Sequence, residues 1–497
     1  MKTTHACCAQ LLALIAFAGV TNIAFAQGPL SPPGAPAPTM KSLDQIASTG
    51  VAVNATNTPG DGADLYVISA SGAYYLTGNI NGVSGKNGIL INAPNVTLDL
   101  NGFTLSGVTG SLAAITDGGS NHGNANIRRG TIVAWGGNGI DLSHSYGSNV
   151  SDLIVTNNGG VGVTLGDTCV LRDCMIRQNT GDGVDAGNNA TVIHCSSVGN
   201  VVGFNLGLNS TLTASTANFN NSNGVVALAG CNLSNTSASQ NVFSGIVTGD
   251  GAVLTSCTAY NNASYGILCG NGSQLTGCGA YQNTGGSTTV GIFSSYGSTL
   301  TDCTASGNAA QYGILVNPYS TLVHCTASQN TSNQTVSAGI IADSCTVTAC
   351  TCCGNVTTNG TVTGTTGMGI YSTGNSTIEH CTCEFNVGDG INVTNLCLVR
   401  ANLASLNTGS GIHATGTDTS IEGNVVDSNT GNGIRVDTTA NVVTSNAARS
   451  NNAANYNIVA GNYVAAILAP AVTSAAISGD TGGVNFSTNA SSNLVLH

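Results

Sequence analysis

The sequence predicts an all-β fold, a right-handed single-stranded parallel β-helix whose coils each carry three short strands. A unit of about 21 residues, seen most cleanly in GIVTGDGAVLTSCTAYNNASY from Gly245 to Tyr265, recurs along most of the chain. It opens on Gly followed by Ile, Val or Phe and closes on Asn. A fixed period in the twenties marks stacked units that bury their apolar faces only against one another. The unit lacks a Leu-rich consensus, and its Gly, Asn, Thr and β-branched content disfavours helix.

Fourteen such anchors run from Gly139 to Gly433, and Gly88-Ile89, Ala114-Ile115 and Asn455-Tyr456 extend the series to about 17 coils. Within Gly245–Tyr265, period-two alternation turns Ile246, Leu254, Cys257 and Ala259 inward. Coils stacked at about 4.8 Å complete the expected architecture. NVTLDLNGFTLSG, Asn95–Gly107, together with the Gly-Ile-to-Asn repeat, resembles the pectin-lyase-like right-handed β-helix proteins over roughly residues 65–460. The chain is also similar to bacterial exported β-helix proteins of unassigned function that carry a Pro-rich linker and a Leu-Asp-Gln segment, here Leu43-Asp44-Gln45. These motifs imply a fold and no particular chemistry.

From the start, residues 1–26 combine a basic end (Lys2), the apolar run Leu11–Val20 and Ala24-Phe25-Ala26, and read as a secretory signal. The product is expected to be secreted, outside the cell or at its surface, with the periplasm as the other destination. Residues 27–60 read as a Pro-rich linker and N-terminal cap, with one helical turn at 40–46. The segment from Tyr66 to Leu76 is expected to cap the first coil, 61–460 to form the β-helix, and 461–497 to cap its C-terminal end. Beyond the signal no apolar run is long enough to span a membrane. A net charge of −12 argues against a nucleic-acid partner.

Eighteen cysteines in an exported chain ordinarily suggest disulfides. Here Cys174, Cys195, Cys257, Cys278, Cys303, Cys325, Cys350 and Cys381 each stand five residues before a closing Asn and form one inward column. Stacked in register about 4.8 Å apart, they are expected to remain reduced, because a disulfide holds its Cβ atoms at roughly 3.5–4.5 Å. A line of thiols is not a tetrahedral metal cluster, so no metal or cofactor is expected. Gly-Asp-Gly at 181–183 and 388–390 reads as turns with only weak Ca²⁺ character.

Two features carry functional expectations. Asp152, Asp173 and His194 fall in one outward column, with carboxylates about 5 Å apart as in retaining glycosidases, and Asp141, Asp182 and Asp185 lie in adjoining coils. The bland reading is a surface ion ladder shared with Arg129 and Arg172. The second feature is an outward column two residues after the anchors: Val226, Val247, Leu268, Phe293, Leu315, Ile341 and Tyr371 are apolar in seven successive coils. Lengthened turns at 284–290, 309–312, 331–338 and 356–368 flank it and contain no Asp, Glu, Lys, Arg or His. The leading expectation is a non-catalytic scaffold that binds a polysaccharide or a protein, or self-associates, through this stripe. The alternative is a polysaccharide lyase or glycosidase.

Overall fold

The computed structural model describes residues 50–285, 289–358, 366–468, 477–479 and 492–496. The chain divides into Met1–Thr49, which lies outside the described residues, and Gly50–His497. The signal, the Pro-rich linker, the helical turn at 40–46, Cys7, Cys8 and parts of two lengthened turns therefore lie outside the described residues.

In the reference coil, Ile246–Thr248, Val253–Thr255 and Thr258–Tyr260 are three separate strands. Each pairs in parallel, residue for residue, with its counterpart one repeat later: Ile267–Cys269, Gln274–Thr276 and Gly279–Tyr281. Repetition of this register gives a parallel β-helix with three ladders and no helix among the described residues. Among the described residues the ladder of anchor strands has 19 members, against the 17 coils expected. One reason lies at the N-terminal end, where Asp64–Ile68 and Gly72–Tyr75, expected as a cap, pair as a regular coil. Val51–Ala52 lies on Tyr74 and Tyr75. At the other end Tyr463–Val464, Ile467–Leu468, Ile477–Gly479 and Asn493–Leu496 add to the ladders.

Three strands per coil require three corners, and each corner is a residue in the left-handed region. One column of such residues runs Asp152, Asp173, His194, another Gln240, Asn261, Gln282, and a third Asn189, Asn209, Gly230, all with φ between 52° and 73°. Such backbone costs a non-glycine residue about 1 kcal/mol, so something must hold it. At many of these corners the amide that follows donates to a side chain in the next coil.

At the corner before the anchor the acceptor is asparagine. The backbone N–H of Asn262 donates to Asn283 Oδ1 at 3.0 Å, its Nδ2 donates to the same oxygen at 3.0 Å, and Nδ2 also reaches Ala238 O at 3.1 Å. With the Asn241 N–H and Nδ2 donating to Asn262 Oδ1, both donors and both acceptor positions of this amide are occupied. The backbone link runs from Asn158 to Asn451, passing through Asn220 and Asn330 among others. The anchor glycine follows from this column, because a Cβ on Gly266 would lie 2.7 Å from Asn283 Nδ2 and 2.6 Å from Gly291 O.

At the second corner the thiol column plays the same part. All eight cysteines of the column are buried, and each of the sixteen cysteines in the described residues is free. The Cys195 amide donates to Ser215 Oγ, that of Cys325 to Cys350 Sγ at 3.4 Å, and that of Cys381 to Asn402 Oδ1 at 2.8 Å. Cys350 is therefore an acceptor as well as the small hydrophobe the sequence suggests. Burial also pushes the Cys269 thiol up to about 12.

Two outcomes are expected. Replacing Asn283 by Ala strips the Asn262 amide of its acceptor inside the core and should cost about 1–3 kcal/mol, read as a lower unfolding midpoint; an unchanged midpoint contradicts the ladder's role. Thiol titration of the native chain should find almost no reactive cysteine, and most should react after denaturation under anaerobic conditions, whereas eight disulfides would exclude the thiol column.

Candidate functional site

The ladder of anchor strands presents one outward residue per coil. Val226, Val247 and Leu268 stand in successive register, followed by Phe293, Leu315, Ile341 and Tyr371, and Asn392, His413 and Arg435 continue the column. The seven apolar side chains are half-buried, neither core nor fully exposed. They owe that cover to their stacking on one another and to ring neighbours. Tyr265 meets Phe293 edge-on with centroids 6.3 Å apart, and burial, followed by Tyr371, raises the Tyr312 hydroxyl above its ordinary range.

Beside the stripe the described parts of the lengthened turns stack as well. Ala309 bridges Thr331, and Thr331–Ser332 pairs with Val356–Thr357 in a small parallel sheet. They border a cleft of about 200 Å³ lined by Gly285, Ala309, Gln311, Thr331, Asn333 and Thr358. Gln311 Nε2 donates to Val336 O at 3.1 Å and to the Tyr312 hydroxyl at 2.9 Å. The described lining supplies amides, hydroxyls and backbone, with no acid, base or charge. It suits contact with an uncharged ligand better than proton transfer.

Asp152, Asp173 and His194 do stand in one column, each next to a buried residue: Leu153, Cys174 or Cys195. Their place is a corner, exposed, away from any described cleft. Arg172 Nη1 and His194 Nδ1 approach opposite oxygens of Asp173, each at 3.5 Å. The same pairing recurs farther along this corner between Asp302 and His324 at 3.6 Å. Arg129 reaches back to Asp99, which Arg128 also contacts at 3.1 Å, so its ion pair is with Asp99 and not with Asp152. A recurrent, solvated ladder of this kind is worth little in stability.

Two further groups lie on the anchor face. Asp141, Thr164 and Asp185 are consecutive in its register. Burial raises Asp185 above the usual carboxylate range, and Asp182 and Asp141 add repulsion. Burial raises Asp182 also, partly offset by the Val202 N–H. The second group escapes a reading of the sequence because Gly388-Asp389-Gly390 looks like an ordinary turn. Asp389 is buried, and its oxygens accept from Ser410 N at 2.7 Å, Asn392 Nδ2 at 2.9 Å and His413 Nδ1 at 2.8 Å. His413 Nε2 lies 2.9 Å from Asp437 Oδ2, whose other oxygen takes Arg435 Nε at 2.8 Å. The available signal was register: once coils are aligned on their anchors, these residues fall in three neighbouring coils. No cluster of three or more metal-ligating side chains with metal-holding geometry occurs among the described residues, nor does a helix long and apolar enough to cross a membrane.

A family model described as a right handed beta helix region matches residues 312–491. The fold is a right-handed parallel β-helix. Among solved structures, the pectate lyase Pel9A is 14% identical, with 44% of this chain and 72% of that chain covered and a TM-score of 0.30. The A-module of the Azotobacter vinelandii mannuronan C-5 epimerase AlgE4 is 14% identical over 71% of this chain and 91% of its own, with a TM-score of 0.31. The Dettilon tailspike protein is 14% identical over 62% and 60%, with a TM-score of 0.30. No curated protein matches. Likenesses this remote carry nothing about ligand or reaction.

Asp152→Asn and Asp173→Asn should each shift stability by less than about 1 kcal/mol, measured by denaturant unfolding. Loss of a polysaccharide-cleaving activity in either variant would instead place chemistry at this corner.

Proposed function

We propose that this chain is an exported, non-catalytic β-helix scaffold that binds a glycan along the anchor face between Val226 and Tyr371. The carrying observation is the run of seven half-buried apolar side chains in one register, beside a cleft without charge. A protein partner or a second copy is the weaker fit, since one residue-wide column falls well short of the roughly 800 Å² per partner that a stable interface buries. Phe293 and Tyr371 offer faces on which a sugar ring can pack. The coil rise of about 4.8 Å is close to the length of a pyranose unit. Export rests on the signal-like residues 1–26.

A second reading, lyase or glycosidase, draws on Asp141, Asp182 and Asp185. Asp182 and Asp185 keep their protons above the usual carboxylate range, the property a general acid needs.

The purified chain should be retained on immobilised neutral polysaccharide and release no new reducing or unsaturated ends. The double variant Leu268→Asp, Leu315→Asp should weaken retention at least tenfold while the β-sheet circular dichroism persists. Unaltered retention counts against the stripe. A change in sedimentation instead of retention assigns it to self-association, and release of new ends supports the second reading.

A further inference from the structure

The polar end of the anchor face holds a constellation that neither the stripe nor the corner ladder uses. His413 lies between two carboxylates from different coils: Asp389 just before anchor Gly390, and Asp437 shortly after anchor Gly433. Both ring nitrogens stand within hydrogen-bond distance of a carboxylate oxygen, at 2.8 and 2.9 Å. A neutral imidazole has one N–H and can satisfy one of them; the imidazolium donates to both. Burial is graded across the group. The side chains of Asp389 and His413 are 2% and 9% exposed, whereas those of Asp437 and Arg435 are 36% and 42% exposed.

We propose that His413 is a pH-operated latch: doubly protonated, it ties Asp389 to Asp437 across three coils, and on losing its Nε2 proton to solvent it releases Asp437 and presents an imidazole lone pair at the surface. The inner bond survives because, among the described residues, the buried Asp389 carboxylate has no other charged partner, and its remaining donors are Ser410 N and the Asn392 amide. The outer bond fails because a deprotonated Nε2 and Asp437 Oδ2 are both acceptors. Asp437, half-exposed and paired with Arg435 on its other oxygen, is free to turn away.

The groups facing the imidazole set the direction. Burial alone favours the neutral ring, but the hydrogen bond and charge of Asp389 and the bond to Asp437 outweigh it and the opposing Arg435, so His413 holds its proton above the ordinary histidine range. A raised folded-state value means the latch is fully closed below the ordinary value and lost as pH rises through the folded one. Burial works against the charged form of Asp437 too, yet its bonds to Arg435 and His413 keep it below the usual carboxylate range. The upper limit of the closed window therefore belongs to His413.

The test uses the full chain with ¹⁵N-labelled histidine, titrated by NMR between about pH 5 and pH 9, alongside amide exchange of residues 434–440 corrected for its intrinsic pH dependence. The expected result is a His413 ring protonated on both nitrogens at neutral pH, then on Nδ1 alone. Protection of 434–440 should fall at least tenfold through the same step. In Asp437→Asn the step in protection should vanish while Nδ1 keeps its proton. A singly protonated ring at neutral pH, unchanged protection across the titration, or the same step in His413→Gln overturns the latch. The wild-type titration decides the matter even if His413→Gln fails to fold.

Discussion

The structure depends on what happens to the backbone amide just after each corner. Three left-handed residues per coil turn the chain, and the next N–H points along the axis into the core, where water cannot reach it. An unsatisfied amide there costs about as much as several surface interactions contribute. In the Asn262 coil the amide is met by the Asn283 side chain one coil on, and elsewhere by a thiol or a hydroxyl. Where the next coil supplies the acceptor, stacking is thus a condition of the corner's stability, and register follows from it.

Several features of composition follow from the same constraint. Asparagine recurs because its short side-chain amide offers two donors and two acceptor positions in one plane, and glycine precedes the anchor strand because the Asn column leaves no room for a Cβ. Cysteine occupies a corner where a small, weakly accepting side chain suffices, and stacking keeps each thiol in line with its neighbours. When the column passes Cys381 it becomes asparagine, and Asn402, Asn424 and Asn446 extend it by the amide pattern.

The surface divides by geometry into corners and faces. Corners expose single residues on a strained backbone, so Asp152, Asp173 and His194 are solvated and find one another only along the axis. The anchor face is flat, and its outward residues shield each other. Half-buried carboxylates, the apolar stripe and the His413 group therefore all lie on it, while its middle coils are flanked by uncharged turns.

The sequence by itself determined the coil, its three strands, the inward thiol and asparagine columns, and the membership of the apolar stripe, because each repeats in a register that a period of about 21 residues exposes. Only the tertiary structure decided matters that depend on distance between coils. It turned Tyr66–Leu76 from a cap into a coil, paired Arg129 with Asp99, set the stripe at half burial, and joined Asp389, His413 and Asp437. Those three are separated in the chain by 24 residues at each step, and Gly-Asp-Gly carries no local sign of a partner. A repeat reports which residues share a column, whereas ion pairs form across columns, where side-chain length and burial decide which groups meet.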